Sequence, residues 1–326
     1  MLLLRYFCTQ IEGGILRIKY QKFLFSLVAK DIILLPSYKG STLRGGFGNA
    51  FRRVVCALRK TDCTECILKE KCVYSYVFET PPPSDTKMMR KYTNAPHPFI
   101  IEPAPEKRQA YKPGDEITFG LTLIGRAVDY IPYFIYTFDE LGKTGLGKGR
   151  GKYELREASC EGKTIYDSGS KTLKTFSPSS LSLGYDPSLQ AASGGETISL
   201  SFLTPTRIFY DGSLTLDLEF HILIRNLLRR LSLLYYFHCS GDPSQWDFKG
   251  LIEEAKGVKV KEKNLRWYDW ERYSARQDTR MKMGGFVGRI TFEGNIEPFM
   301  PFVRAGEILH IGKGTGFGLG RYEVKE

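Results

Sequence analysis

Histidine and tryptophan are scarce: the 326 residues hold four of the first and three of the second. Imidazole chemistry therefore has only His97, His221, His238 and His310 to draw on. Long apolar runs are missing too. Met1-Leu-Leu-Leu is cut by Arg5, and Phe23 to Leu35 is broken by Lys30 and Asp31, so neither a secretory apolar core nor a span of about 20 residues is available. A cytoplasmic protein is expected, with no membrane partner. No low-complexity tract argues for disorder, and 42% hydrophobic with 25% charged residues is ordinary for a globular chain. A nucleotide triphosphatase is excluded as well. Gly142-Lys-Thr-Gly-Leu-Gly147-Lys148 almost writes a phosphate-binding loop, but Gly149 stands where Ser or Thr is required, and the segment lies between helix and strand rather than strand and helix.

What the chain does have is a repeat. Gly125 to Leu155 aligns without a gap on Gly294 to Val324, with 8 identities in 31 positions: Gly125, Pro132, Gly145, Gly147, Gly149, Gly151, Tyr153 and Glu154 fall on Gly294, Pro301, Gly314, Gly316, Gly318, Gly320, Tyr322 and Glu323. Each copy reads as strand, helix opened near a proline, glycine-rich turn and final strand. A length of 326 residues suits two domains of about 150 residues each.

The first half predicts strands over 15–20 and 23–28, a helix capped by Ser41 or Thr42 with Leu43, Phe47, Phe51, Val54 and Leu58 on one stripe, strands over 99–102 and 116–124, a helix over 129–141 and a strand over 152–159. Gly45, Gly46 and Gly48 inside that first helix suggest close approach of another backbone or a ligand. The second half predicts a strand over 197–203, helices over 214–238 and 245–256, strands over 258–273 and 282–293, a helix over 297–310 and a strand over 318–324. The order β-α-β-β-α-β, twice, is the ferredoxin-like unit, so the fold class is α+β with two tandem domains, 1–165 and 196–326, joined by a Ser, Gly and Pro-rich linker over 166–195.

Forty-seven Lys and Arg against 36 Asp and Glu leave a net charge of +11, which favours polyanions, nucleic acid first, as partners. Between 266 and 280, aromatic planes at Trp267, Tyr268, Trp270 and Tyr273 can stack on unpaired bases while Arg266, Arg272, Arg276 and Arg280 neutralise phosphates. A core strand is the competing reading, since aromatics fall on both strand faces. The alternating Gly314, Gly316, Gly318 and Gly320 let backbone lie flat against a sugar-phosphate chain, with Lys313 and Arg321 adding charge; their structural role would be a tight turn. Arg229 extends the polar line of the long helix. Cys56, Cys63, Cys66 and Cys72 fall within 17 residues, a spacing that can close a tetrahedral site around structural Zn²⁺ or hold an iron–sulfur cluster in a Cys-rich insertion over 56–72.

His310-Ile-Gly-Lys-Gly-Thr-Gly-Phe-Gly-Leu-Gly-Arg321, with Trp267-Tyr-Asp-Trp270-Glu-Arg-Tyr-Ser-Ala-Arg276-Gln277, Leu227-Leu-Arg-Arg-Leu-Ser232 and Lys39-Gly-Ser-Thr-Leu-Arg-Gly-Gly-Phe-Gly48, resembles the CRISPR precursor-RNA-processing endoribonucleases of the RAMP superfamily. The resemblance implies two ferredoxin-like domains, repeat RNA and crRNA as partners along with effector-complex subunits, and cleavage by 2′-hydroxyl attack without a catalytic metal, leaving a 2′,3′-cyclic phosphate. It also implies a catalytic histidine in or near the first helix, and this sequence has no histidine between Met1 and Tyr92. The candidates for acid and base are therefore His310, favoured because it adjoins the glycine-rich turn, His238 and His97, together with Tyr38, Lys39 and Arg44. His221 is assigned to a helix face. A RAMP subunit that binds RNA without cutting it is the alternative, and a metal-dependent redox or regulatory protein would explain the cysteines but neither the repeats nor the aromatic and arginine stretch.

Overall fold

The computed structural model describes residues 15–59, 61–184, 196–274 and 279–325. It divides into two compact units: Tyr20–Ser179 joined by Gly314–Gly318, and Ser180–Lys313 with Leu319 onward and the described residues up to Lys19.

The first unit is built on β1 (Leu16–Ala29), followed by α1 (Gly40–Val55), β2 (Phe99–Pro103), β3 (Glu116–Ile124), α2 (Ile131–Thr144), β4 (Tyr153–Cys160) and β5 (Lys163–Asp167). The strands lie in the order β2-β3-β1-β4-β5 and pair antiparallel throughout. The first four reproduce the ferredoxin-like arrangement. Two strands were expected across 15–28, and one is found. Gln21 does not break it, because its side-chain oxygen accepts a hydrogen bond from the Ser179 N–H at 3.1 Å, and Ser179–Leu183 pairs with β1 as a further strand. The helices pack on the sheet through a ring cluster in which Phe47 stacks on Phe134 at 4.8 Å and Phe25 on Phe119 at 5.1 Å. Leu43, Phe47, Ala50 and Phe51 form the buried stripe of α1. The helix opens at Gly40, with Lys39 at its N-cap and no side-chain cap, instead of being capped by Ser41 or Thr42.

The second unit repeats the plan with β6 (Glu196–Thr206), α3 (Phe220–Cys239), α4 (Phe248–Ala255), β7 (Lys259–Tyr268), a hairpin of β8 (Glu271–Ser274) and β9 (Thr279–Lys282), then β10 (Gly285–Gly294), α5 (Met300–Leu309) and β11 (Tyr322–Lys325). Its sheet order β7-β10-β6-β11, again antiparallel, is the same topology. The long helix starts later than its apolar pattern suggests. Asp211 and Gly212 take left-handed backbone angles and turn Phe209–Tyr210 back onto Ser213–Leu214, which removes that stretch from the helix.

The repeat offset survives in three dimensions. Glu116, Ile131 and Tyr153 open β3, α2 and β4, and their counterparts Gly285, Met300 and Tyr322 open β10, α5 and β11. Tyr153 and Tyr322 are both buried, and each donates its hydroxyl proton to a carbonyl of the second helix of its own domain, Phe138 and Val303 respectively. A helical glycine makes room each time: a Cβ on Gly142 would meet the Tyr153 carbonyl oxygen at 2.4 Å, and one on Gly306 the Tyr322 hydroxyl at 2.1 Å. Among the described residues no helix is long and apolar enough to cross a membrane.

Candidate nucleic-acid interface

In the first unit, the tip Gly314–Gly318 sits against the start of α1. Gly314 and Gly318 adopt φ of 82° and 81°, angles that side chains disfavour, and a Cβ on Gly318 would lie 2.6 Å from the Ile101 carbonyl oxygen. Gly40 is equally constrained, since its Cβ would meet the Phe317 carbonyl oxygen at 2.0 Å. That contact is why α1 begins with glycine. The Tyr38 hydroxyl donates to the same Phe317 carbonyl at 2.8 Å. Burial, with a lesser push from the Glu102 carboxylate, drives this phenol far above its ordinary range, so it holds its proton and the tip.

Arg44 lies under the tip. Its guanidinium is stacked between the rings of Phe78, 4.5 Å away, and Phe317, 4.4 Å away, and Nη2 donates to His97 Nε2 at 2.8 Å. On the far side of the imidazole, Nδ1 is 3.1 Å from the Thr80 hydroxyl, whose proton is given to the Ala95 carbonyl at 2.9 Å. Because arginine can only donate and the threonine proton is committed, His97 is the neutral tautomer with its proton on Nδ1. A Cβ on Gly316 would come 3.3 Å from Arg44 Nε and 3.6 Å from His97 Cδ2. A cation and an imidazole thus share the foot of the glycine-rich tip.

Lys39, by contrast, is 1% exposed, with Nζ donating to the Glu106 carbonyl at 2.7 Å. Burial lowers its pKa, against an opposing pull from the Glu106 carboxylate.

In the second unit His310 is fully buried. It ends α5 with φ of 57°, and its Nδ1 lies 3.0 Å from the Leu319 carbonyl, so it joins the two ends of the glycine-rich loop. Adjacency to the loop in sequence therefore leaves this imidazole buried rather than exposed at the loop. His238 is likewise buried, in the last turn of α3. Gly320 is a staple point, its Cβ position 1.8 Å from the Ile311 carbonyl oxygen. Lys313 is exposed, its ammonium 3.7 Å from the centre of the Phe209 ring, and Arg321 is half-buried with Nη2 3.7 Å from Glu323. Arg229 is exposed on α3. The residue beside it was missed by the sequence reading: Arg230 is buried and donates from Nε to the Leu309 carbonyl at 2.8 Å, capping α5 just before the loop, and burial pulls its pKa down to about 9. Only the i, i+1 rotation that turns it inward from its neighbour distinguishes the two.

β7 is a sheet edge exposed along most of its length, with Arg266 exposed and Trp267 and Tyr268 at 38% and 41% exposure. The Trp267 indole N–H donates to Asp269 at 2.7 Å, and Trp270 is half-buried. The competing core reading fails for these two aromatics. Arg276 lies outside the described residues, and only the backbone of Arg272 and Arg280 is described.

Cys56, Cys63, Cys66 and Cys72 are half-buried free thiols. Among the described residues no group of three or more His, Cys, Asp or Glu side chains is gathered as a metal would need, so the arrangement does not support the zinc or iron–sulfur expectation. The Arg52 guanidinium donates from Nη2 to the Thr61 carbonyl of this loop at 3.1 Å.

Residues 200–322 match the family model of the CRISPR-associated endoribonuclease Cas6, and residues 16–178 match a model described as an N-terminal domain, AF_1859_N. An uncharacterized protein of Archaeoglobus fulgidus is 26% identical over 295 residues, covering 89% of this chain and 93% of that one. A solved Cas6 product complex superposes with a TM-score of 0.55 at 18% identity over 94% of this chain and 100% of the other. Cas6 of Thermus thermophilus gives 0.50 at 15% identity over 94% and 99%. These likenesses carry the fold, tandem ferredoxin-like domains, across the whole chain. Residues 200–322 thus carry the sequence match to the CRISPR-associated endoribonuclease Cas6, and the chain as a whole shares its tandem ferredoxin-like fold with solved Cas6 structures.

Proposed function

We propose that the protein binds CRISPR repeat RNA and cuts precursor crRNA by attack of the RNA's own 2′-hydroxyl, leaving a 2′,3′-cyclic phosphate and a free 5′-hydroxyl. The observation that carries this reading is the Arg44–His97 pair at the foot of the glycine-rich tip. Cutting needs a base for the 2′-hydroxyl proton and positive charge for the pentavalent phosphate. His97 Nε2 is the base, and the Arg44 guanidinium is the cation. In the free protein Arg44 donates to that nitrogen; a phosphate at the tip draws the guanidinium N–H to its own oxygens and bares the lone pair. The 2′-oxygen then bonds to phosphorus as its proton passes to Nε2, the bond to O5′ breaks, and O5′ takes a proton from water. Arg44 supplies the charge, so no catalytic metal is required.

Binding is assigned to the exposed edge of β7, where Arg266, Trp267 and Tyr268 offer phosphate and stacking contacts, and to Arg229, Lys313 and Arg321. The partners are repeat RNA, the crRNA it yields and the effector subunits that take up crRNA, in the cytoplasm.

A second reading, an RNA-binding subunit that does not cut, is favoured by a specific observation: His238 and His310 are buried, and both ring nitrogens of His97 are engaged. Incubation with repeat RNA in EDTA separates the two. Cutting of RNA, with binding but no cutting of a strand carrying one 2′-deoxy nucleotide at the scissile position, is the expected result. Binding without cutting of either strand is the outcome of the second reading, and cutting of the 2′-deoxy strand or a need for Mg²⁺ contradicts the mechanism.

A further inference from the structure

Thr80 occupies a backbone conformation that its own side chain opposes. Its φ and ψ are 48° and 49°, the left-handed region, where a β-branched residue is a genuine outlier. Glycine or asparagine would sit there with less strain. The residue is nonetheless threonine, it is 4% exposed, and all of its polar groups are used. Its N–H closes the short π-helical segment Ser75–Glu79 by donating to the Ser75 carbonyl at 2.7 Å, and its carbonyl accepts from the Ala95 N–H at 2.8 Å. The hydroxyl donates to the Ala95 carbonyl and faces His97 Nδ1. Anchoring residues 81–94 needs only the backbone part of this set. The hydroxyl adds something a loop anchor does not require: with its proton spent on Ala95, it can only accept from Nδ1, which leaves Nε2 unprotonated and aimed at Arg44.

We infer that Thr80 is a positioning residue, acting through His97, that fixes the tautomer in which Nε2 can take a proton from RNA. The inference rests on the reading of His97 as the base. Strain held at one residue so that a neighbour keeps one protonation pattern is a recurring feature of reaction sites. Losing the orienting acceptor lets the ring turn or switch tautomer without removing any group that touches RNA.

The test uses the full chain. ¹⁵N spectra of the histidine rings, with His97→Gln to identify the His97 signals, read the tautomer directly; the wild-type protein at neutral pH should show the proton on Nδ1. Thr80→Val keeps shape and backbone preference but not the hydroxyl. With the uncleavable 2′-deoxy strand bound, where Arg44 no longer holds Nε2, it should lose that signature; it should cut RNA at least tenfold more slowly in single-turnover reactions and bind repeat RNA within about twofold of wild type. Thr80→Ser should restore most of the rate. A wild-type ring protonated on Nε2 overturns the inference, as does a folded Thr80→Val whose Nδ1 signature stays intact with the 2′-deoxy strand bound, or a Thr80→Ser as slow as Thr80→Val. If Thr80→Val does not fold, the wild-type spectrum and Thr80→Ser decide. If His97→Gln cuts normally, the role of His97 falls by itself, and the tautomer result shows separately whether Thr80 orients the ring.

Discussion

Lys39, one of the candidate acids and bases in the sequence, gives up hydration for one hydrogen bond to a backbone carbonyl. Burial holds its folded pKa below the ordinary lysine value of 10.5, so the unfolded chain binds this proton more tightly than the native one. Its contribution to stability therefore becomes less unfavourable as pH rises from the lowered pKa toward 10.5. Lys39→Met should leave stability at pH 7 equal or higher, since replacing a buried charge with an apolar side chain of similar volume is often neutral or favourable. The gap between variant and wild type should narrow as pH climbs toward 10.5, as denaturation midpoints across that range will show. Residue type alone could not have told this lysine from a catalytic one. The same holds for His310 and His97: the first lies next to the loop in sequence but is fully buried, whereas the second reaches Arg44 across 53 residues of chain. Sequence adjacency says nothing of exposure: His310 turns with φ of 57° and its ring is buried.

At the scale of elements, the glycines of α1 show what a pattern leaves open. All three interior glycines suggested close approach, and they differ. A Cβ on Gly48 would lie 2.2 Å from the Phe78 ring, one on Gly46 would lie 3.1 Å from Leu141 and Leu146, and one on Gly45 meets nothing within 4 Å. Gly45→Ala should therefore raise stability by about 0.5–1 kcal/mol through helix propensity alone. Gly48→Ala should lower it by about 1–3 kcal/mol, because the ring it displaces also supports Arg44. Urea denaturation of the two variants checks both signs. β-strand and helix identities were legible because apolar periodicity is local; the late start of α3 was not, since it follows from the left-handed pair Asp211 and Gly212. The cysteine spacing is a similar case. It fixes which four thiols could reach one ion, but whether the folded loop gathers them is not contained in the spacing.

At the scale of the whole molecule, the duplicated plan was legible because the glycine turns and the tyrosine after them recur in both halves, and each recurrence has a packing cause in Gly142 with Tyr153 and Gly306 with Tyr322. The candidate site was legible only in pieces. It is assembled from Tyr38 and Arg44, from Thr80 and His97, and from Gly314–Gly318, three stretches that no local period connects and that only the folded first unit brings together. The match of residues 200–322 to Cas6 gives that assembly a context, but the role proposed for His97 comes from the geometry around it. The measurement that bears on it most directly is single-turnover cleavage of repeat RNA by His97→Gln, with affinity measured on the same preparation. Removal of the base should slow cutting by about 10²–10⁴-fold while repeat RNA binds within about twofold of wild type; a variant that cuts at the wild-type rate would contradict the account.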